Sequence, residues 1–257
     1  MISYDVIIPH FNNPIKLKRA IRSVLKQKFL PKNILVVDDK SDQTCIAKIE
    51  SYIEEYSILK LIKMDENKGP GAARNIGLKN SQAEYIAFLD ADDIFAENKI
   101  EIIANILLEF PNLGYFGHYY DLIDQNIIEE RIVKNLNVNY FSAIMKNPAQ
   151  TSCVFIKNIS LFFEESRYCE DHQFFYRYIF IARNFANLDC IIRTESLTYI
   201  DRPQGSLGGL SGEIFKMRIG IIHAQINDLF LFSGVSLFLF FSALSQIPRH
   251  IIKLLIK

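Results

Sequence analysis

Three carboxylates within four residues, Asp90, Asp92 and Asp93, close the run YIAFLDADDIF. Like charges held so close repel one another, and a strand-forming apolar segment delivers them together. Such a set suits a hard divalent cation that also takes phosphate oxygens. In an extended chain Asp90 and Asp92 would project to the same side, because strand side chains alternate with a period of two. The competing reading is a turn held by aspartate side chains, or an N-cap given by Asp93 to the helix that follows. A second acidic strand end, Asp38 and Asp39 in ILVVDDKSD, tilts the balance toward a site. There a carboxylate could accept from a base N–H or a ribose hydroxyl, and either residue could equally open a loop.

Two further segments carry suitable groups. In NKGPGAARNIG, Gly69 and Gly71 let the backbone approach a ligand, and a helix beginning near Ala72 turns its positive end toward an anion. Arg74 adds a planar fork of donors for phosphate. Arginine stands where a G-x-G-x-x-G fingerprint needs its third glycine, which argues against dinucleotide binding. In YCEDHQFF, Glu170 and Asp171 precede an apolar helix. They are either first-turn acids favoured by the helix dipole or the source of a general base for an acceptor hydroxyl. His172 is the rival base, and otherwise a surface or helix-packing residue.

The elements that must position these groups alternate. DVIIP, ILVVDD, LKLIK and YIAFLD read as strands; PIKLKRAIRSVLKQ, CIAKIESYIEEY, GAARNIGLKN and KIEIIANILLEF read as helices. Continuous apolar strands alternating with helices predict an α/β fold, a parallel sheet covered on both faces. Such sheets bind ligands beyond the carboxyl ends of their strands, which is where both acidic clusters fall. After Pro111 the pattern weakens into shorter strands in YFGHYYDLID, RIVKN and TSCVFIKN, then a helix in EDHQFFYRYIFIARNF.

The 257 residues are 49% hydrophobic, enough for a sizeable core, and 29 basic residues balance 29 acidic ones. Generalised nucleic-acid binding is therefore not expected. Cys45, Cys153, Cys169 and Cys190 form no C-x-x-C pair and no signal peptide precedes MISYDVIIP, so reduced, buried thiols in a cytoplasmic protein are expected.

Taken together, VIIPHFNN, ILVVDDKSDQT, NKGPGAARNIG, YIAFLDADD and the ED before an aromatic helix resemble the family 2 glycosyltransferases of GT-A fold. The resemblance implies a Rossmann-like nucleotide-binding sheet, parallel or mixed, with residues 1–112 as the nucleotide-sugar half and 113–210 as the acceptor and catalytic-base half. By the same resemblance Pro9, Phe11 and Asp39 would line the nucleotide pocket with Asp38 beside them. Arg74 would sit near the nucleotide-sugar, and Asp90 would bind ribose or the donor sugar. Asp92 would ligate Mn2+ or Mg2+, Asp93 would assist, and Asp171, next to Glu170, would be the catalytic base. The reaction implied is inverting transfer from a UDP-sugar to a glycan hydroxyl. Two departures stand out: His10 and Phe11 replace the usual Thr or Ser and Tyr, and YIDRPQGSLGGLSG lacks the family's histidine. Arg202 would then serve the diphosphate. A metal-dependent nucleotidyltransferase, or a degenerate member acting as a scaffold, is the alternative.

The segment 211–257 reads as apolar and basic helices. Leu229–Pro248 has no charged residue, a length close to the roughly 20 that span a bilayer, but Gly234 and its serines dilute it. Arg249, Lys253 and Lys257 recur every four residues, the pattern of an interfacial anchor on anionic lipid. Peripheral attachment at the inner face of the cell membrane, near a lipid-diphosphate-linked acceptor of O-antigen or capsule assembly, is the expectation.

Overall fold

The computed structural model describes residues 2–123, 132–164, 169–202, 219–222 and 228. The first half runs β1 (Tyr4–His10), α1 (Pro14–Leu25), β2 (Ile34–Asp38), α2 (Gln43–Ile53), β3 (Leu59–Lys63), α3 (Pro70–Asn80), β4 (Tyr85–Phe88), β5 (Ile94–Phe95) and α4 (Lys99–Glu109). The second runs β6 (Leu113–Leu122), β7 (Asn135–Asn137), α5 (Tyr140–Met145), a 3-10 turn (Thr151–Cys153), β8 (Val154–Lys157), α6 (Glu170–Asn184) and β9 (Asp189–Ile200).

The strands of the described residues form one nine-stranded sheet of order β3-β2-β1-β4-β8-β6-β9-β5, with β7 on β9. β1, β2, β3 and β4 are parallel, as their buried apolar runs require; β8 then pairs antiparallel with both β4 and β6. The sheet is therefore mixed, and it passes without a break across the boundary at 112/113. Alternate residues of β1 serve opposite cores. Val6 and Ile8 meet α1, α2 and α4, whereas Ile7 faces α3, α5 and α6.

Local chemistry sets the helix starts. α1 has Pro14 at its first turn and Asn13 as cap, its side chain accepting from the Lys16 N–H, and it buries Leu17, Ala20, Ile21 and Val24. α3 lies so close to β1 that a Cβ on Gly77 would fall 2.5 Å from Ile7 Cγ2. That approach is available only to glycine.

Several expectations change. β9, β5 and α5 carry no clear periodic signal and were not expected, and the strand sought in RIVKN lies at Asn135–Asn137. β4 stops at Phe88, and the Asp93 N–H donates to the Asp90 carbonyl at 3.0 Å, so the acidic residues sit on a turn rather than along an extended strand. Asp93 does not cap a helix either, because α4 begins at Lys99 behind Asn98. The four cysteines are buried thiols. The expected tail helices with Arg249, Lys253 and Lys257, and the glycine-rich stretch after Arg202, lie outside the described residues. Among the described residues no helix is long and apolar enough to cross a membrane.

Candidate active site

The parallel carboxyl ends of β1, β2 and β4 form the floor. At β2, Asp38 accepts from His10 Nδ1 at 2.9 Å, from the Ser41 N–H at 2.8 Å and from the Ser41 hydroxyl at 2.5 Å. The Asn13 N–H donates to His10 Nε2 at 3.0 Å, which leaves the ring proton on Nδ1 for Asp38. Burial alone would raise the Asp38 pKa; the His10 and Ser41 hydrogen bonds outweigh it and hold the carboxyl below its usual range. Asp39 accepts from the Lys68 N–H at 2.7 Å and the Gly69 N–H at 2.8 Å, closing the loop in which Gly69 adopts a φ of +88°. Both carboxylates are thus occupied in building loops. Pro9 is buried inside β1, and Phe11, 52% exposed, is the group of this corner that is turned to solvent.

Arg74 is not free to offer its fork to phosphate. It is buried, with one terminal nitrogen 2.7 Å from Asp90 Oδ1 and the other 3.1 Å from Glu170 Oε1. Burial pushes the guanidinium pKa down, but Asp90 and Glu170 push it up further, so it keeps its charge. Gly71 makes the arrangement possible: a Cβ there would stand 2.7 Å from Glu170 Cγ. The glycine expected to admit a ligand admits the Glu170 side chain of the chain itself. Burial, then the charge of Asp171, raise Glu170 to about 7 despite Arg74. The guanidinium is shared, and Asp90 holds the shorter contact.

On the acidic turn, Asp90 and Asp92 have side chains 37% and 36% exposed, while Asp93 is buried. Burial, with Asp90 next, raises Asp92, and the same two causes lift Asp93 to about 7. Ser152, which the sequence did not single out, holds the turn at two points. Its Oγ accepts from the Asp90 N–H at 2.9 Å and donates to Asp93 Oδ2 at 2.5 Å. Behind it the fully buried Lys99 donates to the Ser152 carbonyl at 2.8 Å and to Thr198 Oγ1 at 3.2 Å, with Nζ 3.6 Å from the Phe95 ring centre. Burial lowers Lys99 to about 7. One signal could have found it: Lys99 shares an apolar helix stripe with Ile103 and Ile106.

The end of β9 closes the mouth. The Asp201 N–H donates to Asp93 Oδ1 at 3.1 Å, and its carboxylate takes Lys16 at 2.7 Å and Arg19 at 3.1 Å. Arg19 also donates to the Asp92 carbonyl at 2.7 Å, and Arg202 stands 3.8 Å from Asp92 Oδ2. On α6, Asp171 lies in the first turn, half-buried, and accepts from Asn147 Nδ2 at 3.0 Å. His172 points inward, its Nε2 donating to the Ala143 carbonyl at 2.7 Å, so it is the helix-packing residue rather than a rival base. Asp90, Glu170, Asp171, Arg74, Asp92, Asp93 and Arg202 are therefore brought together as one charged cluster, with Asp38 and Asp39 serving the adjoining loops.

Among the described residues no group of three or more His, Cys, Asp or Glu is arranged as a metal cage. The donor set nevertheless suits Mg2+ or Mn2+, which use one or two protein carboxylates and complete their shell with substrate phosphates. The partly exposed Asp92, its pKa raised by burial and then by Asp90, faces Arg202 at a loose 3.8 Å and is the carboxylate placed to take such an ion.

A mixed sheet with acids at its parallel carboxyl ends and on the first turn of α6 is the GT-A architecture. The model of glycosyl transferase family 2 matches residues 5–171, and the chain belongs to that family. It is 32% identical over 143 residues, 56% of its own length and 55% of the relative's, to WfgD of Escherichia coli, a UDP-Glc:alpha-D-GlcNAc-diphosphoundecaprenol beta-1,3-glucosyltransferase. It thus spans little more than half of that relative. The structure of S. aureus TarS 1-349 with UDP-GlcNAc superposes with a TM-score of 0.65 at 19% identity, over 88% of this chain and 67% of that one. The mannosyltransferase PcManGT of Pyrobaculum calidifontis, with GDP-Man and Mn2+, gives 0.62 at 15% identity, over 88% of this chain and 64% of that one. At those identities the likeness concerns the fold.

Proposed function

We propose that the chain is an inverting glycosyltransferase that moves a sugar from a UDP-sugar to a hydroxyl of a lipid-diphosphate-linked glycan, in assembly of a bacterial O-antigen or capsule at the inner face of the cell membrane. The observation that carries this reading is Arg74, which ties the donor-side Asp90 to Glu170, the neighbour of Asp171, across the mouth of the parallel strands.

Phe11 offers a face on which a base can stack. Asp92, with Asp90 beside it, would hold Mn2+ or Mg2+, which when bound neutralises charge on the departing diphosphate. Arg202, reaching over Asp92, adds a fixed cation on the same side. Asp171 Oδ accepts the proton of the acceptor hydroxyl while its oxygen attacks C1 from the opposite face. The C1–O bond to the diphosphate breaks with its electron pair leaving on the diphosphate, and the anomeric centre inverts. The hydrogen bond from Asn147 orients Asp171 for that task. WfgD's lipid-diphosphate acceptor, TarS's UDP-GlcNAc and PcManGT's Mn2+ support the acceptor, donor and metal parts of the reading.

The test is turnover of a panel of UDP-sugars on a synthetic lipid-diphosphate acceptor with Mn2+, the product's anomeric configuration being read by NMR. A β-linked product from an α-linked donor is expected. Retention of configuration would overturn the mechanism, and tight UDP binding without transfer to any acceptor would favour a scaffold.

A further inference from the structure

The cations of the chain are unevenly placed. From Val6 to Val37 there is no Asp or Glu, whereas seven Lys and Arg occur, although the whole chain is neutral. α1 carries most of them, on the side of the sheet it shares with α2 and α4. Between α1, α2 and β5 lies a groove of about 850 Å3, lined by five cations against two acids, Glu55 and Glu97. Lys26 is paired with Glu97 at 3.3 Å, and Arg19 is spent on Asp201 and the Asp92 carbonyl. Lys18, Arg22 and Lys48 remain. Tyr52 forms a wall, its ring 4.5 Å from Lys18 Nζ and its buried hydroxyl without a hydrogen-bond partner of good geometry, with Arg22 nearby. At the rim Ile15 is 83% exposed, and Phe29 and Leu30 are exposed beyond the end of α1.

We propose that this groove and its rim are a docking surface for a bilayer of anionic phospholipid, the headgroup phosphodiester seated among Lys18, Arg22, Lys48 and Tyr52 and Ile15 entering the acyl boundary. Charge complementarity supplies the attraction, at about 1 kcal/mol per cation near such a surface. The exposed apolar rim separates this partner from a soluble anion, because Ile15 gains nothing from water and does gain from lipid. Its residues all lie outside 211–257, and it is independent of which donor or acceptor the site takes. Arg19 spans from this groove to the Asp92 turn, so docking here would present the cleft at a fixed height over the leaflet.

The experiment is sedimentation of the full chain with vesicles of phosphatidylcholine alone, or of equal parts phosphatidylcholine and phosphatidylglycerol. The parent chain is compared with Lys18→Gln/Arg22→Gln and with Ile15→Ser, each checked for an unchanged circular dichroism spectrum. Binding that requires phosphatidylglycerol is expected, weakened roughly 30-fold by the double variant and weakened measurably by Ile15→Ser. Equal binding by parent and double variant would assign attachment elsewhere, and absence of phosphatidylglycerol-dependent binding would remove it altogether. Displacement by inorganic phosphate with Ile15→Ser unaffected would make the groove a soluble-anion site and overturn the membrane assignment.

Discussion

Arg74 on α3 and Asp90 after β4 meet at 2.7 Å, the guanidinium buried and the carboxylate about one-third exposed. Glu170 completes the pair into a triad, and the three residues come from three separate elements. A buried ion pair is weak evidence of net stability, but removing one partner strands the other. Arg74→Met is therefore expected to lower stability by about 3 kcal/mol, since Glu170 is left buried and Asp90 is only partly desolvated. Arg74→Lys keeps the charge but cannot reach both carboxylates with a planar fork, so it should recover little activity. Urea unfolding of both variants measures the first effect; a parent-like midpoint for Arg74→Met would refute it.

Asp92 is the carboxylate expected to hold the metal. Mn2+ with UDP should raise the parent's unfolding temperature, as any ligand that binds the folded state does. Asp92→Asn should abolish that shift and reduce transfer to background while leaving the metal-free stability close to that of the parent, because the side chain is partly exposed. A metal shift of undiminished size in Asp92→Asn would move the metal elsewhere.

Asp171→Asn should cut kcat by about 10²–10⁴-fold, the contribution of a positioned base, with little change in UDP-sugar affinity. The amide keeps an oxygen for the Asn147 donor, so the fold should be undisturbed. Transfer at the parent's rate would remove Asp171 from the mechanism.

Glu170 links the site to pH. Its folded pKa of about 7 lies above the ordinary 4.5, so between those values the folded chain keeps a proton that the unfolded chain has lost. Stability from this group is fully present below pH 4.5 and is lost as pH rises through 7. Asp93, also raised to about 7, gives a slope of the same sign in this range. Glu170→Gln should therefore flatten, without abolishing, the fall of the unfolding temperature between pH 5 and pH 7.5. Parallel curves for parent and variant would show that Glu170 is ionised in the folded chain throughout.

Much of the frame was legible from pattern. The buried runs of β1 and β2, Pro14 at the start of α1, and the alternation through α4 are local signals, repeated every few residues. They also located the acids at strand ends, because a parallel strand surrounded on both faces can place charge only where it leaves the sheet. β9 was not legible. Its charged middle, RTES, interrupts the apolar alternation, and its place beside β6 depends on pairing partners 75 to 78 positions apart, such as Tyr115 with Cys190 and Leu122 with Ile200.

What the amino-acid order alone determined was the class of fold and the neighbourhood of the chemistry, since periodicity, caps and acid clusters act within a turn or a strand. Only the tertiary structure decided the partners. It turned Arg74 toward Asp90 and Glu170, turned Asp38 toward His10, folded the acidic run into a turn, and set Ser152 and Lys99 beneath it. The physical reason is that a buried charge or donor is satisfied by whatever packing brings within about 3 Å. That neighbour belongs to an element remote in sequence, and no local pattern names it.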